Sequence, residues 1–226
     1  MRNAIVTGSE GALGAAITGV LAATGYNVLC PPKSVLNLQS PKDINRFADS
    51  VDGHVDVLIN CAGLASINWL PNLSELEWNE VFDVNVKGPM MLTQALLPKL
   101  IDGTVVNITS RAARVPMRCS AAYNASKAAL EMLTRQMGRE LYATHKIVVF
   151  GVAPNKLAGT PMSRWVDDRV CLVRGWTREQ ALKYEKQSRI VEDETPAVLV
   201  ADFIGYLLST RERHLYLNGC ILNYGD

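Results

Sequence analysis

Asn3-Ala4-Ile5-Val6-Thr7-Gly8-Ser9-Glu10-Gly11-Ala12-Leu13-Gly14 is a short apolar run that breaks into a glycine-rich turn and then into a segment of helical period. Glycine permits a tight turn and lets backbone approach a pyrophosphate closely. The negative charge of that group then rests among the unpaired N–H groups of a helix N-terminus. Gly8, Ser9, Glu10, Gly11, Leu13 and Gly14 are therefore candidate cofactor contacts. The plain alternative is that the glycines serve only a tight strand-to-helix turn.

Short β-rich runs at 3–7, 27–30, 55–60, 104–108, 147–152 and 220–223 alternate with helical segments at 12–24, 41–50, 74–100, 120–142 and 196–208. The third helical segment is interrupted near Gly88-Pro89. Brief apolar strands separated by helices are the pattern of a buried parallel sheet. The expected fold class is α/β, a doubly wound, Rossmann-type parallel sheet with helices on both faces. Ser40-Pro41 and Thr195-Pro196 each place a capping side chain ahead of a proline at the first helical position. Between Cys30 and Pro41 there is too little chain for a further strand and helix, so the crossover after the second strand is read as shortened.

At 226 residues, with neither repeat nor composition shift, the chain is read as one domain over 1–226. Apolar residues at 48% and charged residues at 20% exclude a disordered chain. Lys plus Arg number 23 against 22 Asp plus Glu, so nothing in the composition draws the chain to nucleic acid or an anionic membrane. No run nears the about 18 consecutive apolar residues of a membrane span. An apolar strand begins directly after Met1-Arg2, which leaves no room for a cleavable signal and points to the cytoplasm. Cys30, Cys61, Cys119, Cys171 and Cys220, like His54, His145 and His214, lie far apart without metal or disulfide spacing. Reduced thiols in or near the core, and no metal, are expected.

Tyr123 and Lys127 stand four apart on the expected helix at 120–142, hence on one face. Tyr142 and Lys146 repeat that spacing, so it carries little alone. Ser110 distinguishes the first pair: it lies 13 residues before Tyr123 at the mouth of a strand, whereas the matching position before Tyr142 is Ala129. A phenol with a pKa of about 10 carries protons poorly near neutrality unless positive charge favours its anion. Lys127 can supply that charge, and Ser110 can hold a substrate oxygen by a hydrogen bond.

Together these residues resemble the short-chain dehydrogenase/reductase family in its compact single-domain form, over nearly the whole chain. Thr7 to Gly14 is similar to its Thr-Gly-x-x-x-Gly-x-Gly, and Asn60-Cys61-Ala62-Gly63 to its Asn-Asn-Ala-Gly. Trp78 through Asn85 to Gly88 resembles the stretch leading to its active-site asparagine, and Ser110, Tyr123 and Lys127 resemble its catalytic serine, tyrosine and lysine. The resemblance implies an NAD(P)-dependent oxidoreductase that interconverts a carbonyl and an alcohol, Tyr123 exchanging a proton with the substrate oxygen while hydride moves to or from the cofactor. It also implies that Asn60, Ala62 and Gly63 contact the cofactor, that Tyr123 and Lys127 do so at the nicotinamide ribose, and that Asn85 holds a water linking the lysine to solvent. A helix-kink asparagine that bonds backbone alone is the other reading of Asn85.

The match has departures. After the second strand, where an acid reads a free 2′-hydroxyl and a base a 2′-phosphate, the chain has Cys30-Pro31-Pro32-Lys33-Ser34. With no acid there, and with Lys33 and Ser34 able to take a phosphate, NADP is favoured over NAD. Glu10 opposes this through like charge, and an ordinary solvated lysine is the plain alternative for Lys33. Asn37-Leu38 resembles the family's Asp-Val at the adenine. Pro154-Asn155 stands in place of Pro-Gly, on the expectation that Asn tolerates a positive φ. Thr160, one position further from Pro154 than usual, resembles the threonine at the nicotinamide carboxamide; Pro154 and Thr160 are counted as cofactor contacts.

The crevice is expected to be closed by 64–71, 111–120 and a substrate lid at 156–190. Arg111, Arg114, Arg118, Arg164, Arg169 and Arg174 in these segments either hold an acidic substrate or are surface arginines paired with acids or solvent. Trp69, Trp165 and Trp176 either line an apolar pocket or belong to the core and a subunit contact. Met90, Met91, Leu130, Met132, Leu133 and Met137 exceed what one internal helix face requires. Relatives of this size pair through those helices, so a homodimer or homotetramer is expected. Two other readings stay open: a cofactor-binding regulator with the fold but no chemistry, and a sugar-nucleotide epimerase or dehydratase of the extended type. For the latter, the 66 residues after Thr160 leave little room for a substrate lobe.

Overall fold

The computed structural model describes residues 2–187 and 193–225. Its elements run β1 (Arg2–Val6), α1 (Ala12–Ala23), β2 (Tyr26–Leu29), α2 (Pro41–Ser50), β3 (Val57–Asn60), α3 (Glu75–Phe82), α4 (Gly88–Leu96), β4 (Thr104–Ile108), α5 (Ala121–His145), β5 (Val148–Pro154), α6 (Pro161–Arg174), α7 (Arg178–Gln187), α8 (Ala197–Leu208), α9 (Arg211–Leu215) and β6 (Ile221–Tyr224). Among the described residues six strands form one sheet in the order β2-β1-β3-β4-β5-β6, every neighbouring pair parallel. This is the expected doubly wound sheet. The chain from Leu29 to Pro41 buries Leu36 and Leu38 but adds no strand, so β2 is an edge, followed at once by Pro31-Pro32.

Successive strand residues point to opposite faces. Val6, Ile59, Val106 and Phe150 pack with Ile17 and Leu21 of α1 and with Val200 and Ile204 of α8. Ile5, Leu58, Val105 and Val149 pack on the other face with Ile44 and Phe47 of α2, Leu92 and Leu96 of α4, and Met137 of α5. Each such side chain stabilises the fold by about 1.5–3 kcal/mol through burial. Buried His214 fixes α9 to the sheet, its Nε2 2.9 Å from Thr104 Oγ1 and its Nδ1 3.0 Å from the Leu207 carbonyl oxygen.

Several expectations need correction. The break in the helix at 74–100 comes before Gly88-Pro89, as a π-helical turn over Asp83–Lys87, and Gly88 opens α4. The helix expected to end at Tyr142 runs to His145, with Lys146 in the left-handed region at φ 57°. Ser40 caps α2 through the Asp43 N–H at 3.2 Å, but Thr195 caps nothing: its backbone pairs with Leu157, and α8 starts only after Pro196. Leu130 and Met137 are buried in the core of this chain and offer no interface; Cys220 is exposed and not near-core.

Within the expected lid, α6 and α7 pack over a small third cluster of Ile67, Cys119, Val170 and Ala181. Lys156 Nζ fastens them to the mouth of β5, bonding Asp167, Glu185 at 2.8 Å and Glu194 at 3.2 Å. The end of that lid, 188–190, lies outside the described residues. No described helix is long and apolar enough to cross a membrane, and among the described residues no group of three His, Cys, Asp or Glu could hold a metal.

Candidate active site

Because the strands are parallel, the loops after β1, β3, β4 and β5 leave the sheet at the same edge, where open α/β sheets form their crevice. The first two loops are stitched together. Thr7 Oγ1 accepts from the Cys61 and Ala62 N–H groups at 3.0 and 3.1 Å. Gly8 lies at φ 69°, and a Cβ on it would stand 2.7 Å from Ala62 Cα; a Cβ on Gly14 would stand 2.2 Å from the Gly8 carbonyl oxygen. These two positions therefore admit only glycine. Counted residue by residue, they occupy the first and last glycines of the family pattern, while Ala12 stands at the middle one. Gly11, one position earlier, ends the loop without bringing a capping side chain to α1. The first-turn N–H groups of Ala12, Leu13 and Gly14 thus remain for a ligand, and this backbone cradle fits a pyrophosphate. Leu13 is buried, Ser9 half-buried and Glu10 exposed.

Ser110 follows β4 and Tyr123 sits in the first turn of α5. The Ser110 hydroxyl is close enough to the phenol to favour its anion. Ser110 Oγ also accepts from the Ala112 N–H at 3.1 Å, and Asn124 Nδ2 pins that loop by donating to the Ala112 and Val115 carbonyls at 2.7 and 2.8 Å. One turn along α5, Lys127 Nζ lies 5.9 Å from the centroid of the Tyr123 ring and donates to the Ile108 carbonyl at 2.9 Å. Burial raises the Tyr123 phenol above its ordinary range, partly offset by the nearby Ser110 hydroxyl. Burial pulls Lys127 down to about 8, and pushes the neighbouring Cys61 thiol up to about 12, which leaves that thiol neutral beside the ammonium. The pair Tyr142 and Lys146 has the same spacing and a similar ring-to-ammonium distance of 5.4 Å, but lies at the far end of α5.

The π-helical turn rotates Asn85 inward, where it is fully buried. Its Oδ1 accepts from the Leu64 N–H at 2.8 Å, and its Nδ2 donates to the Leu64 carbonyl at 2.9 Å and to Ser126 Oγ at 3.0 Å. A Cβ on Gly63 would stand 3.5 Å from Asn85 Oδ1 and 3.6 Å from Lys127 Nζ, so the loop after β3, Asn85 and Lys127 meet at one point.

The other expected contacts have partners within the chain or lie at its surface. Asn60 faces the α4–α5 side, where its Nδ2 donates to Asn107 Oδ1 at 2.9 Å and Asn107 Nδ2 in turn donates to Thr134 Oγ1 at 2.9 Å. These bonds brace the sheet, while Asn60 Oδ1 is buried with no hydrogen-bond partner among the described residues. Thr160 is the N-cap of α6, with its Oγ1 accepting from the Ser163 N–H at 3.0 Å and donating to Ser163 Oγ at 2.9 Å, so its hydroxyl is already engaged. Asn155 is buried without a positive φ; it accepts and donates at Lys156 N–H and the Gly225 carbonyl. Pro154 ends β5, buried beside Tyr224. Lys33 is exposed on the turn after β2, Asn37 Oδ1 accepts from the Gln39 N–H, and the Leu38 side chain is packed into the core under Gly88. The cap at Thr160-Pro161 and the Gly175 stop at φ 67° are sequence signals that mark α6.

A family model described as short chain dehydrogenase matches residues 34–170. The 3-oxoacyl-(acyl-carrier-protein) reductase FabG of Staphylococcus epidermidis is 28% identical over 242 residues, covering 95% of this chain and 94% of the relative. A solved structure of 4-hydroxyisoleucine dehydrogenase complexed with NADH is similar with a TM-score of 0.84 at 21% identity, over 99% of this chain and 96% of that one. L-sorbose reductase from Gluconobacter frateurii, complexed with NADPH and L-sorbose, gives a TM-score of 0.84 at 21% identity, over 99% and 94%. A family match that takes in more than half of the chain, on this sheet and around this crevice, makes the protein a member of the short-chain dehydrogenase/reductase family and an NAD(P)-dependent oxidoreductase.

Proposed function

We propose that the protein interconverts a carbonyl and a secondary alcohol, with Tyr123 carrying the proton to or from the substrate oxygen, Ser110 holding that oxygen and Lys127 supplying positive charge beside the phenol. The observation that carries this reading is the placement of Ser110 after β4 and Tyr123 in the first turn of α5, with the Lys127 ammonium one turn on, 5.9 Å from the phenol ring and anchored to the Ile108 carbonyl at 2.9 Å. When bound, the nicotinamide cofactor supplies or accepts the hydride. A buried phenol gives up its proton reluctantly, so Lys127, charged at neutral pH with a pKa of about 8, is needed next to it. One of the three N–H bonds of that ammonium goes to Ile108, which leaves two for a ribose and the phenol. Asn85 acts as a positioning residue: its whole amide is engaged in holding Leu64 and Ser126, which sets Gly63 against Lys127.

The backbone of Gly8 to Gly14 would hold the cofactor's pyrophosphate, with Ala62 and Gly63 beside it. An exposed Lys33 next to Ser34, without an acid, supports NADP over NAD, and exposed Glu10 acts against it; kcat/KM for the two cofactors side by side decides between them. Exposed Met90 and Met132, with half-buried Met91 and Leu133 on the same two helices, support a homodimer or homotetramer through α4 and α5. One catalytic domain working in the cytoplasm completes the reading. Tyr123→Phe removes the proton carrier while leaving the ring. It should lower kcat by about 10²–10⁴ with cofactor affinity retained, and undiminished turnover in that variant would defeat the assignment.

A further inference from the structure

We propose that Asn124 is a positioning residue for the reaction: its amide holds Ala112, and through Ala112 the Ser110 hydroxyl, in register with the Tyr123 phenol one residue away on the same helix. This rests on the hydride-transfer reading above, in which Ser110 holds the substrate oxygen. Ser110 stands in extended backbone as the cap of a 3-10 turn over Arg111–Ala113, its Oγ accepting from the Ala112 N–H at 3.1 Å and its carbonyl from the Ala113 N–H at 3.0 Å. The bond from Ala112 fixes where the hydroxyl oxygen sits and leaves the hydroxyl proton for a substrate oxygen. Ala112 is buried and gripped at both backbone groups, because its carbonyl accepts from Asn124 Nδ2 at 2.7 Å. The other Nδ2 proton goes to the Val115 carbonyl at 2.8 Å, so one amide ties the turn and the residues after it to α5. Asn124 follows Tyr123 directly in the chain. The path from Tyr123 through Asn124 and Ala112 to Ser110 therefore contains only these short links.

The amide does not owe its place to favourable burial. Asn124 Oδ1 is buried with no hydrogen-bond partner among the described residues. An unpaired buried acceptor destabilises a fold, and an apolar side chain would avoid it. What the amide supplies is two donors, and both go to the loop that carries Ser110. Seven residues further along α5, hence on the same face, the buried Glu131 carboxylate meets that loop again, 3.5 Å from Arg114 Nε and 3.8 Å from Arg135. Arg114 is the residue that ends the 3-10 turn. Two side chains of α5 thus tether the loop, one by hydrogen bonds and one by charge. A single helix carries the phenol and also holds the hydroxyl that arrives from β4. Asn124 uses its donors on the loop, so it acts on the reaction through Ser110.

The test compares Asn124→Ala, Asn124→Asp, Ser110→Ala and the double variant Asn124→Ala with Ser110→Ala, using butanone, cyclohexanone and ethyl acetoacetate with NADPH and with NADH. Asn124→Asp keeps the shape of the side chain and removes its N–H donors, so it serves where the alanine variant does not fold. Each Asn124 variant should lower kcat by about tenfold to a hundredfold, the loss expected when a reacting contact is displaced by about 1 Å. Cofactor Kd should be retained. In the Ser110→Ala background the Asn124 factor should shrink to about twofold or less, because residues that act as a unit are not additive. An amide with a structural role alone would instead give factors that multiply. Parental kcat in the Asn124 variants, or multiplying factors in the double variant, overturns the inference and leaves hydride transfer standing. Absence of turnover by the parent with every carbonyl, cofactor bound, defeats the hydride-transfer reading instead. The inference is then decided by amide exchange in the apoprotein. The Ala112 and Ala113 N–H groups should exchange at least about tenfold faster in Asn124→Ala, or in Asn124→Asp, than in the parent, with Leu130 and Thr134 of α5 unchanged. Parental protection at Ala112 in the variant overturns it.

Discussion

Replacing Lys127 by Met asks how much stability the apoprotein loses by keeping an ammonium in its interior. Lys127 is 5% exposed, its Nζ makes one hydrogen bond of 2.9 Å to the Ile108 carbonyl, and burial pulls its pKa from 10.5 to about 8. At about 1.36 kcal/mol per pKa unit, that drop corresponds to about 3 kcal/mol of destabilisation while the folded state carries the proton. Between about pH 8 and 10.5 the unfolded chain holds a proton that the folded chain has shed, so stability rises with pH across that window. Below the window the penalty is complete. Methionine has a similar length and no charge to desolvate, but it leaves the Ile108 carbonyl without its donor, which offsets about 1 kcal/mol. The variant should therefore be about 2 kcal/mol more stable than the parent near pH 7, or roughly 4–8 °C in Tm. By about pH 9.5 that gain should shrink by about 2 kcal/mol, while turnover is absent throughout. Urea unfolding followed by tryptophan fluorescence at the two pH values and constant ionic strength measures both quantities. A variant less stable than the parent near pH 7, or a gain indifferent to pH, would refute the reasoning.

Gly14→Ala forces a Cβ to within 2.2 Å of the Gly8 carbonyl oxygen, whereas Gly11→Ala meets that oxygen at 3.3 Å. The first should lower stability by about 1–3 kcal/mol and cofactor affinity with it, the second much less; equal effects in urea melts and NADPH titrations would contradict the cradle. Thr160→Val removes the cap of α6, a change of about 1 kcal/mol that amide exchange should localise to that helix. A large loss of cofactor affinity in that variant would assign Thr160 to the carboxamide as well as to the cap. His214 is held below its ordinary pKa of 6.5, chiefly by burial, so the unfolded chain takes the proton first and stability should fall as pH drops through that value. The midpoint of urea unfolding, followed from about pH 7.5 to about pH 5, should show this slope in the parent and less of it in His214→Gln.

The sheet was legible because each strand is a brief apolar run between turns; 104–108 coincides with β4, and the other runs differ from their strands by no more than two residues at either end. Ser110, Tyr123 and Lys127 could be read because their chemistry depends on residue type and helical spacing, both of which a sequence displays. The hydrogen bonds that Thr160 makes as the cap of α6 and Asn60 makes to Asn107 could not be read, since a motif gives a position and not the partners its side chain meets in the fold. α6 opens on Thr160-Pro161, the same pairing of a hydroxyl residue with proline that marks α2 at Ser40-Pro41, but its run of Arg and Asp around Trp165 blurs the apolar period. Leu130 and Met137 show the limit from the other side: apolar residues spread around a helix do not say which will face a second subunit and which the interior.

The edge left by the shortened crossover has a cost that the chain manages locally. A bordering strand offers unpaired N–H and C=O groups on which foreign strands can polymerise. Here that border is four residues long and is followed by Pro31-Pro32, two residues with no N–H to extend the ladder. The short crossover thus leaves a border on which an incoming strand finds only four residues to pair with before the prolines end the ladder.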